Sequence, residues 1–323
     1  MKALVLEGIN QPIEIRNIDK PNVEKDFSLV TVKTAGLNHR DLWITKGQYA
    51  GLKFPIVLGS DVCGLHLNNR VVINPAFFWG ENLNVQSKQF EILGLPRNGS
   101  LSEFVCVPNS SIYQAPNHLT DEQVAAIPLA GLTAFRALVT KTTPIKGEKI
   151  LITGIGGGVA LFVLQYAIAL GLEVYVNSSS DEKIQKAISI GAKGGVNYTS
   201  MDWDKKLQEM CNGLDIIVDG AAGSDFNKLV KVCNPAARIC IYGGTQGLIG
   251  NLMPQQIFWK QISIFGSTMG NDQEFRDMLD VINTYKIIPI VDSVYAFEDV
   301  NQALLRMSKG DQFGKIIIKI AEW

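Results

Sequence analysis

Two different patterns of apolar and polar positions divide this chain. Through about residue 120, short stretches such as KALVLE, SLVTVKTAG and SEFVCVP are separated by turns rich in Gly, Pro and Asn. Short apolar stretches bounded by turn residues predict strands joined by short connections, with little helix between them. We therefore expect this part of the chain to form a distorted antiparallel barrel or sandwich.

Beyond the segment TDEQVAAIP, in which Thr120 is a predicted helix N-cap, strands and helices alternate. The predicted strands are KILITG, EVYVN, GVNYT, LDIIVDG, ARICIYGG and ISIFGSTMG, and the predicted helices span 158–170, 181–190, 202–211 and 225–233. Short strands that are apolar on both faces and separated by helices indicate a parallel sheet covered on both sides. Six such strands are typical of a doubly wound Rossmann sheet that binds a dinucleotide.

The last part of the chain returns to a mixed pattern, ending in the apolar stretch GKIIIKI. A length of 323 residues is more than one core usually serves, so two domains are expected. We predict a discontinuous catalytic domain of residues 1–125 plus 271–323. The Rossmann coenzyme-binding domain, residues 126–270, is inserted into it.

Charge and cysteine content exclude several functional classes. A net charge of −1 gives no electrostatic footprint for nucleic acid or for an anionic membrane surface. The five cysteines include no CxxC pair, which argues against a disulfide framework and a thiolate cluster and suits a reducing compartment. The N-terminus reads as a strand rather than a signal peptide, and GVALFVLQYAIALG is shorter than the roughly 20 residues of a membrane span. We expect a soluble, cytoplasmic protein.

The segment KILITGIGGGVALF combines a strand, a glycine turn and a buried helix, the context in which a dinucleotide is bound. A pyrophosphate approaches the N–H groups of a helix only where no Cβ intervenes. The GxGxxG spacing is imperfect, because its third place, counted from Gly154, falls on Val159. We predict that Gly154, Gly157, Gly158 and Val159 bind the cofactor; the alternative is an ordinary glycine-rich turn.

The end of the second predicted strand bears on the choice between NAD and NADP. An acid there would bind the ribose 2′-hydroxyl of NAD, but this strand ends VYVNSSSDEK, with Asn177 and Ser178 in that place. Hydroxyl groups followed by Lys183 can instead donate to a 2′-phosphate. This favours NADP(H); the alternative is that Lys183 is a solvated helix residue.

Several segments in the same order resemble the medium-chain dehydrogenase/reductase superfamily over essentially the whole chain. They are AGLNHRDLWITKGQY, FPIVLGSDVCG, NGSLSEFVCVP, AAIPLAGLTAFRAL, the glycine turn, YGG and GKIIIKI. The resemblance implies a GroES-like, distorted β-barrel catalytic domain, a Rossmann coenzyme domain and an active site in the cleft between them.

Zinc-dependent alcohol dehydrogenases of that superfamily place metal ligands where this chain has Asn38, Ser60 and Leu129. The cysteines of their structural zinc lobe are also missing from FFWGENLNVQSKQFEILGLPRNG. A soft-ligand zinc site cannot be assembled from these residues. The chain therefore looks like the zinc-free branch of quinone oxidoreductases and enoyl or alkenal reductases. An improvised metal site of His39, Asp61 and Cys63 is the weaker alternative.

Without a Lewis acid, hydride transfer needs an acceptor that is already activated, such as a quinone or an α,β-unsaturated ketone or aldehyde. We expect Asn38 and Tyr49 to face this acceptor. The resemblance assigns Thr133 to the nicotinamide half, His39 to the pyrophosphate and Ser180, Lys183 and Tyr198 to the 2′-phosphate. It assigns the carboxamide to the FGSTMG segment with Phe265 and Ser267, and it adds Gly243 of YGG to the cofactor site.

Each of these residues has a structural alternative. Asn38 could cap a turn, Tyr49 could be a barrel tyrosine, Thr133 could bond within its helix and His39 could be a surface residue. Two other functions also stay open: a redox-inactive relative that binds NADPH, and an alcohol dehydrogenase with an unconventional metal site. We expect a homodimer formed through the apolar strand QISIFGS.

Overall fold

The protein is described by a computed structural model that covers residues 1–320. Contacts within the chain divide it into two compact units. The first contains Met1–Leu132 and the segment from Met269 onward, and the second contains Thr133–Thr268.

The strands of the described chain are β1 Lys2–Leu6, β2 Ile13–Asn17, β3 Phe27–Gly36, β4 Ile56–Val57, β5 Asp61–His66, β6 Asn69–Ile73, β7 Ala76–Phe77, β8 Glu91–Ile92, β9 Phe104–Pro108, β10 Ile112–Gln114, β11 Lys149–Ile152, β12 Glu173–Ser178, β13 Gly194–Asn197, β14 Leu214–Asp219, β15 Cys233–Ile241, β16 Ser263–Gly266, β17 Val291–Tyr295 and β18 Lys315–Lys319. The α-helices are α1 His39–Thr45, α2 Asp121–Ala125, α3 Pro128–Phe135, α4 Gly158–Ala169, α5 Asp181–Ile190, α6 Trp203–Cys211, α7 Phe226–Val232, α8 Pro254–Lys260, α9 Asp272–Tyr285 and α10 Val300–Lys309. A π-helical turn, Arg136–Thr140, extends α3, and 3-10 turns occupy Asn109–Ser111 and Phe297–Asp299.

The second unit is built on a six-stranded parallel sheet in the order β13-β12-β11-β14-β15-β16. This is the strand order of a Rossmann sheet, as the alternating pattern predicts. The four predicted helices correspond to α4, α5, α6 and α7, with ends within one residue of those expected. The central strands are apolar and buried because helices cover both faces of the sheet.

The first unit contains a seven-stranded sheet in which β10, β6, β5, β3, β18 and β17 follow one another and β9 also pairs with β3. All these pairs are antiparallel except that of β17 with β18. A three-stranded sheet, β2-β1-β4, packs with it around one apolar core. The predicted distorted, largely antiparallel β domain is confirmed.

The segment after the Rossmann unit returns to this β domain through β18. Ile317 pairs with Gly36 and Lys319 with Thr34, so that β18 lies beside the last part of β3. The other side of that part of β3 pairs with β5, where Gly36 lies opposite Asp61. The end of β3 is thereby brought together with β5 and with β18, which lies hundreds of residues further along the sequence, where β3 leads into α1.

Helix α2 begins where the sequence predicts. The Thr120 hydroxyl accepts a hydrogen bond from the backbone N–H of Gln123, and the Gln123 side chain accepts one from the backbone N–H of Thr120. This reciprocal capping satisfies two N–H groups that the helix itself cannot bond. Among the described residues, no helix combines the length and apolar character that crossing a membrane requires.

Candidate functional site

The segment that links β3 to α1 places Asn38 at the N-cap of the helix in a capping-box arrangement with Asp41, while the hydrogen bonds of the Asn38 side chain run to Asp61 and Lys315. The carboxylate of Asp41 accepts the backbone N–H of Asn38 at 2.8 Å and that of Gly59 at 3.1 Å. Asp41 is fully buried, and this burial raises its carboxyl pKa despite the neighbouring Arg40 and the two N–H donors. Asp41 therefore connects the first turn of α1 to the backbone of Gly59.

The Asn38 side chain lies between two buried charged groups. Its Nδ2 donates to Oδ2 of Asp61 at 2.9 Å, and its Oδ1 accepts from Nζ of Lys315 at 2.6 Å. Lys315 also donates to the same Asp61 oxygen at 2.9 Å and to the Leu37 carbonyl at 2.6 Å. The side chains of Lys315 and Asp61 are 4% and 0% exposed, so this ion pair is desolvated and is matched by hydrogen bonds on both partners.

The remaining oxygen of Asp61, Oδ1, accepts the backbone N–H of Leu129 at 2.8 Å. Asp61 therefore connects two of the three places to which the resemblance to zinc-dependent alcohol dehydrogenases assigns metal ligands, through the Asn38 side chain and the Leu129 backbone. We call Asn38, Asp61 and Lys315 the ammonium cluster.

The third such place, Ser60, belongs to a second buried polar group around Arg40. Nη1 of Arg40 donates to Oγ of Ser60 and to the Leu93 carbonyl, both at 2.8 Å. Nε of Arg40 donates to the Tyr49 hydroxyl at 3.4 Å, and the guanidinium lies 5.1 Å from the centre of the Tyr49 ring. Arg40 thus holds Tyr49 near Ser60, while the rest of the Tyr49 side chain packs against the β-domain core.

His39, the residue after Asn38, is exposed at the surface. Its ring lies 6.1 Å from the ring of Trp43. Although the residue is exposed, crowding by protein atoms and the positive charge of Lys315 lower the pKa of its imidazole. His39 is therefore exposed, whereas the Asn38 that precedes it is buried.

The side chains at the three positions that correspond to zinc ligands, Asn38, Ser60 and Leu129, do not suit a zinc ion. They offer an amide, a hydroxyl already bonded to Arg40 and an aliphatic side chain, whereas zinc selects thiolate, imidazole and carboxylate. The carboxylate of Asp61 is bound to the Lys315 ammonium, and Cys63 points its Sγ toward Asp121, 3.6 Å away. Over residues 1–320, no three His, Cys, Asp or Glu side chains gather in a way that could hold a metal.

In the second unit, the turn between β11 and α4 presents backbone without side chains. Gly154 and Gly156 have φ values of 65° and 118°, which side-chain-bearing residues rarely adopt. Gly157 is the N-cap of α4 and provides no capping side chain, and a Cβ on Gly154 would meet nothing within 4 Å. No capping side chain therefore occupies the first N–H groups of this 12-residue helix, as binding of a pyrophosphate requires.

The end of β12 supports this turn instead of carrying an acid. Oδ1 of Asn177 accepts the backbone N–H of Gly154 at 2.9 Å, and its carbonyl accepts that of Ile155 at 2.9 Å. Ser180 is the N-cap of α5, with its Oγ accepting the N–H of Lys183. The Lys183 side chain lies against the turn, since a Cβ on Gly156 would come 2.8 Å from its Cδ.

The other residues predicted to contact the cofactor occupy two places in the second unit. Thr133 lies buried in α3, at the point where this unit begins. Four residues lie at or just beyond the carboxyl ends of β13, β15 and β16: Tyr198, Gly243, Phe265 and Ser267. Gly154, Gly157, Gly158 and Val159 follow β11 at the same edge, because the carboxyl ends of parallel strands share one edge of the sheet.

The sequence did not indicate the part played by Lys315, although the block GKIIIKI contributes to the resemblance. One signal was present: Lys315 begins a strand whose next three residues are buried isoleucines, and a charge in such a place needs a partner. Arg40 carries a similar signal, since it is buried in the first turn of α1 between two other ionisable residues.

Two family models match the chain. The alcohol dehydrogenase GroES-like domain matches residues 24–117, and the zinc-binding dehydrogenase domain matches residues 158–284. The first lies in the β domain and the second covers the Rossmann sheet from α4 onward.

Known proteins resemble the chain over its whole length. A zinc-type alcohol dehydrogenase-like protein of Leptosphaeria maculans is 34% identical over 96% of this chain and 95% of its own. The crystal structure of an NAD-dependent alcohol dehydrogenase is 29% identical with a TM-score of 0.93, covering 99% of this chain and 100% of that one. The quinone oxidoreductase of Thermus thermophilus, whose structures include a complex with NADPH, shares the fold with a TM-score of 0.84 at 22% identity; it covers 99% of this chain and 100% of its own.

Proposed function

We propose that this chain, which belongs to the medium-chain dehydrogenase/reductase superfamily, is an NADPH-dependent reductase of activated carbonyl compounds that works without zinc. Its acceptors are quinones or α,β-unsaturated ketones and aldehydes. The reaction joins NADPH, a proton and the acceptor to give NADP⁺ and the reduced acceptor. The observation that carries this proposal is the ammonium cluster. Its lysine, aspartate and asparagine lie where the resemblance to zinc-dependent enzymes would place a metal site.

The glycine turn fits a pyridine nucleotide, because its open backbone and uncapped helix suit a pyrophosphate. When bound, NADPH supplies the hydride. Gly154, Gly157, Gly158 and Val159 would hold the pyrophosphate, and Ser180, Lys183 and Tyr198 would hold the 2′-phosphate. Thr133, Gly243, Phe265, Ser267 and the exposed His39 complete the proposed cofactor set. NADP is favoured over NAD because Asn177, whose side chain supports the turn, replaces the acid that NAD prefers.

The first unit offers the acceptor hydrogen-bond donors in place of a Lewis acid. The Asn38 amide and the Tyr49 hydroxyl can donate to an oxygen that gains negative charge as hydride arrives. Such donors suffice where the charge is already spread over a conjugated system, and the proton can come from water. Oxidation of a simple alcohol is poorly served here, because deprotonating it at neutral pH requires a strong Lewis acid or base.

The decisive measurement is NADPH oxidation against a panel of quinones, alkenals, enones and simple ketones, each with and without a chelator. We expect turnover of the conjugated acceptors, at least about 100-fold faster than that of the simple ketones and unaffected by the chelator. Zinc content, measured by elemental analysis on the same preparation, should be far below one atom per chain.

Two outcomes would contradict the proposal. Oxidation of simple alcohols that the chelator abolishes, with one zinc per chain, would indicate an alcohol dehydrogenase with an unconventional metal site. Tight NADPH binding without turnover of any acceptor would indicate a redox-inactive relative that binds the nucleotide. Parallel assays with NADH separate the choice of cofactor from the choice of acceptor.

We also propose that the protein is a cytoplasmic homodimer. The strand β16 is one of the two edge strands of the Rossmann sheet, and Ile264 on it is 37% exposed. An exposed apolar strand edge is a template for pairing with a second chain. The five cysteines are unpaired in the structure, which accords with a reducing compartment.

A further inference from the structure

Lys315 is the cation of the ammonium cluster, and all its hydrogen-bonding capacity is used within the protein. Its Nζ has three N–H groups, and it contacts three acceptors: the Leu37 carbonyl, Oδ1 of Asn38 and Oδ2 of Asp61, at 2.6, 2.6 and 2.9 Å. With three partners and 4% exposure, the ammonium has no donor left for a substrate. Any part it takes in a reaction must therefore act through a neighbour.

That neighbour is Asn38, whose amide could otherwise adopt two orientations. A carboxamide looks nearly the same when its oxygen and nitrogen are exchanged, so partners decide which end points where. A lysine ammonium can only donate, and an ionised aspartate can only accept. With Lys315 on one end and Asp61 on the other, only the orientation with Oδ1 on Lys315 and Nδ2 on Asp61 satisfies both.

This arrangement leaves one N–H of the Asn38 amide unused. Nδ2 has two N–H groups, and the described residues provide one acceptor for them, Asp61. An amide free to flip would present its oxygen for part of the time, and that oxygen would repel a carbonyl acceptor. An amide held in one orientation presents a donor at all times.

We propose that Lys315 is a positioning residue: together with Asp61 it locks the Asn38 carboxamide so that an N–H, and not the oxygen, is presented to the acceptor. The inference rests on the proposed function for its kinetic consequence, but the locking itself is a property of the free protein. An ion pair that only joined β18 to β5 would not need Asn38 bonded to both of its partners, and the two roles are separable by experiment.

The single variant Lys315→Met leaves the Asp61 carboxylate buried without its counter-ion and could fail to fold. The main variant is therefore the double replacement K315M/D61N, which removes both charges. Because the Leu129 N–H holds the oxygen of the amide that this variant introduces at position 61, its Nδ2 faces Asn38; the fold keeps hydrogen bonds while the original orientation of Asn38 is no longer imposed. The matched control is Lys319→Met, four residues along the same strand, where the lysine is exposed and reaches Glu122 only at 4.0 Å.

The first readout needs neither cofactor nor substrate. In protein labelled with ¹⁵N-asparagine, the side-chain amide signal of Asn38 is identified by its loss in Asn38→Ala. We expect its protons to exchange with solvent at least about 10-fold more slowly in the wild type and in Lys319→Met than in K315M/D61N, because a charged partner holds the amide in place. Equal exchange in all three proteins would overturn the inference, whatever the enzyme turns over.

The second readout is a double-mutant cycle in kcat with NADPH and the best quinone or enone. Loss of one donor to a developing oxyanion lowers kcat about 100-fold, which is the expectation for Asn38→Ala. K315M/D61N should lower kcat at least about 10-fold with little change in the KM for NADPH, and adding Asn38→Ala to it should give no more loss than Asn38→Ala alone. Losses that multiply would show that Lys315 acts independently of Asn38 and would overturn the inference. A wild type with no activity, but with a protected Asn38 amide, would instead reject the proposed function and leave the positioning intact.

Discussion

At the scale of single residues, the polar run Asn38-His39-Arg40-Asp41 separates into four different environments. Asp41 fastens the helix to the Gly59 backbone, Arg40 reaches Ser60 and Tyr49, and His39 points to the surface. Only Asn38 enters the ammonium cluster. Asn38 is the N-cap of α1, as the alternative of a turn cap expects, and its side-chain hydrogen bonds run to Lys315 and Asp61.

Replacing Tyr49 by Phe tests its hydroxyl separately from its ring. The hydrogen bond from Arg40 is long, 3.4 Å, and the cation can still stack on a phenylalanine ring, so we expect less than about 1 kcal/mol loss in the free energy of unfolding. If the hydroxyl donates to the acceptor, kcat/KM for a quinone or enone should fall about 10- to 100-fold. Denaturant unfolding and steady-state kinetics measure the two effects.

The control for this substitution is Tyr295→Phe, since Tyr295 packs against the same core. It should leave both quantities near those of the wild type. Unchanged kinetics in Tyr49→Phe would show that Tyr49 is a structural tyrosine of the barrel.

At the scale of elements, the Rossmann sheet could be predicted closely from sequence, and the catalytic β domain only in outline. The helices α4, α5, α6 and α7 were placed to within a residue because a switch between two-sided apolar strands and amphipathic helices is local information. The strand β3 pairs along its length with β9, β5 and β18, and no local pattern encodes such a set of partners. The contact between Lys315 and Asn38 spans 277 residues of sequence, which is why the cluster was not foreseen.

The helix α5 carries the prediction for cofactor choice. Lys183 lies against the glycine turn, whereas Lys186, one turn further on, pairs with Glu182 at the surface. If Lys183 binds the 2′-phosphate, Lys183→Ala should weaken NADPH binding about 10-fold, which corresponds to about 1.4 kcal/mol, because one charge-assisted hydrogen bond is lost. NADH binding should hardly change.

Calorimetric titration of both nucleotides measures this difference, and Lys186→Ala serves as the matched control. An equal loss of affinity for NADPH and NADH in Lys183→Ala would place this lysine elsewhere than at the 2′-phosphate. An unchanged affinity for both would make it the solvated helix residue of the alternative interpretation.

At the scale of the whole molecule, one edge of the Rossmann sheet carries an exposed apolar side chain that no described strand covers. In the Rossmann sheet the edge strands are β13 and β16, and β16 carries the exposed Ile264. The preceding helix α8 exposes Phe258 and Trp259, at 62% and 83%. Three exposed large apolar side chains within residues 258–264 make this short segment a candidate interaction surface.

The dimer proposal therefore predicts the effect of a single charge on that edge. A lysine in place of Ile264 would put an ammonium where two apolar strands must meet, a device by which natural sheets prevent edge pairing. We expect the wild type to sediment with twice the mass of one chain at micromolar concentration and Ile264→Lys to sediment with the mass of one. Met201→Lys provides the control, since Met201 is 92% exposed and follows β13 at the opposite edge of the sheet. Sedimentation of Ile264→Lys as a dimer, or of the wild type as a monomer, would show that this edge does not join two chains, and the exposed aromatic residues of α8 would then need another partner.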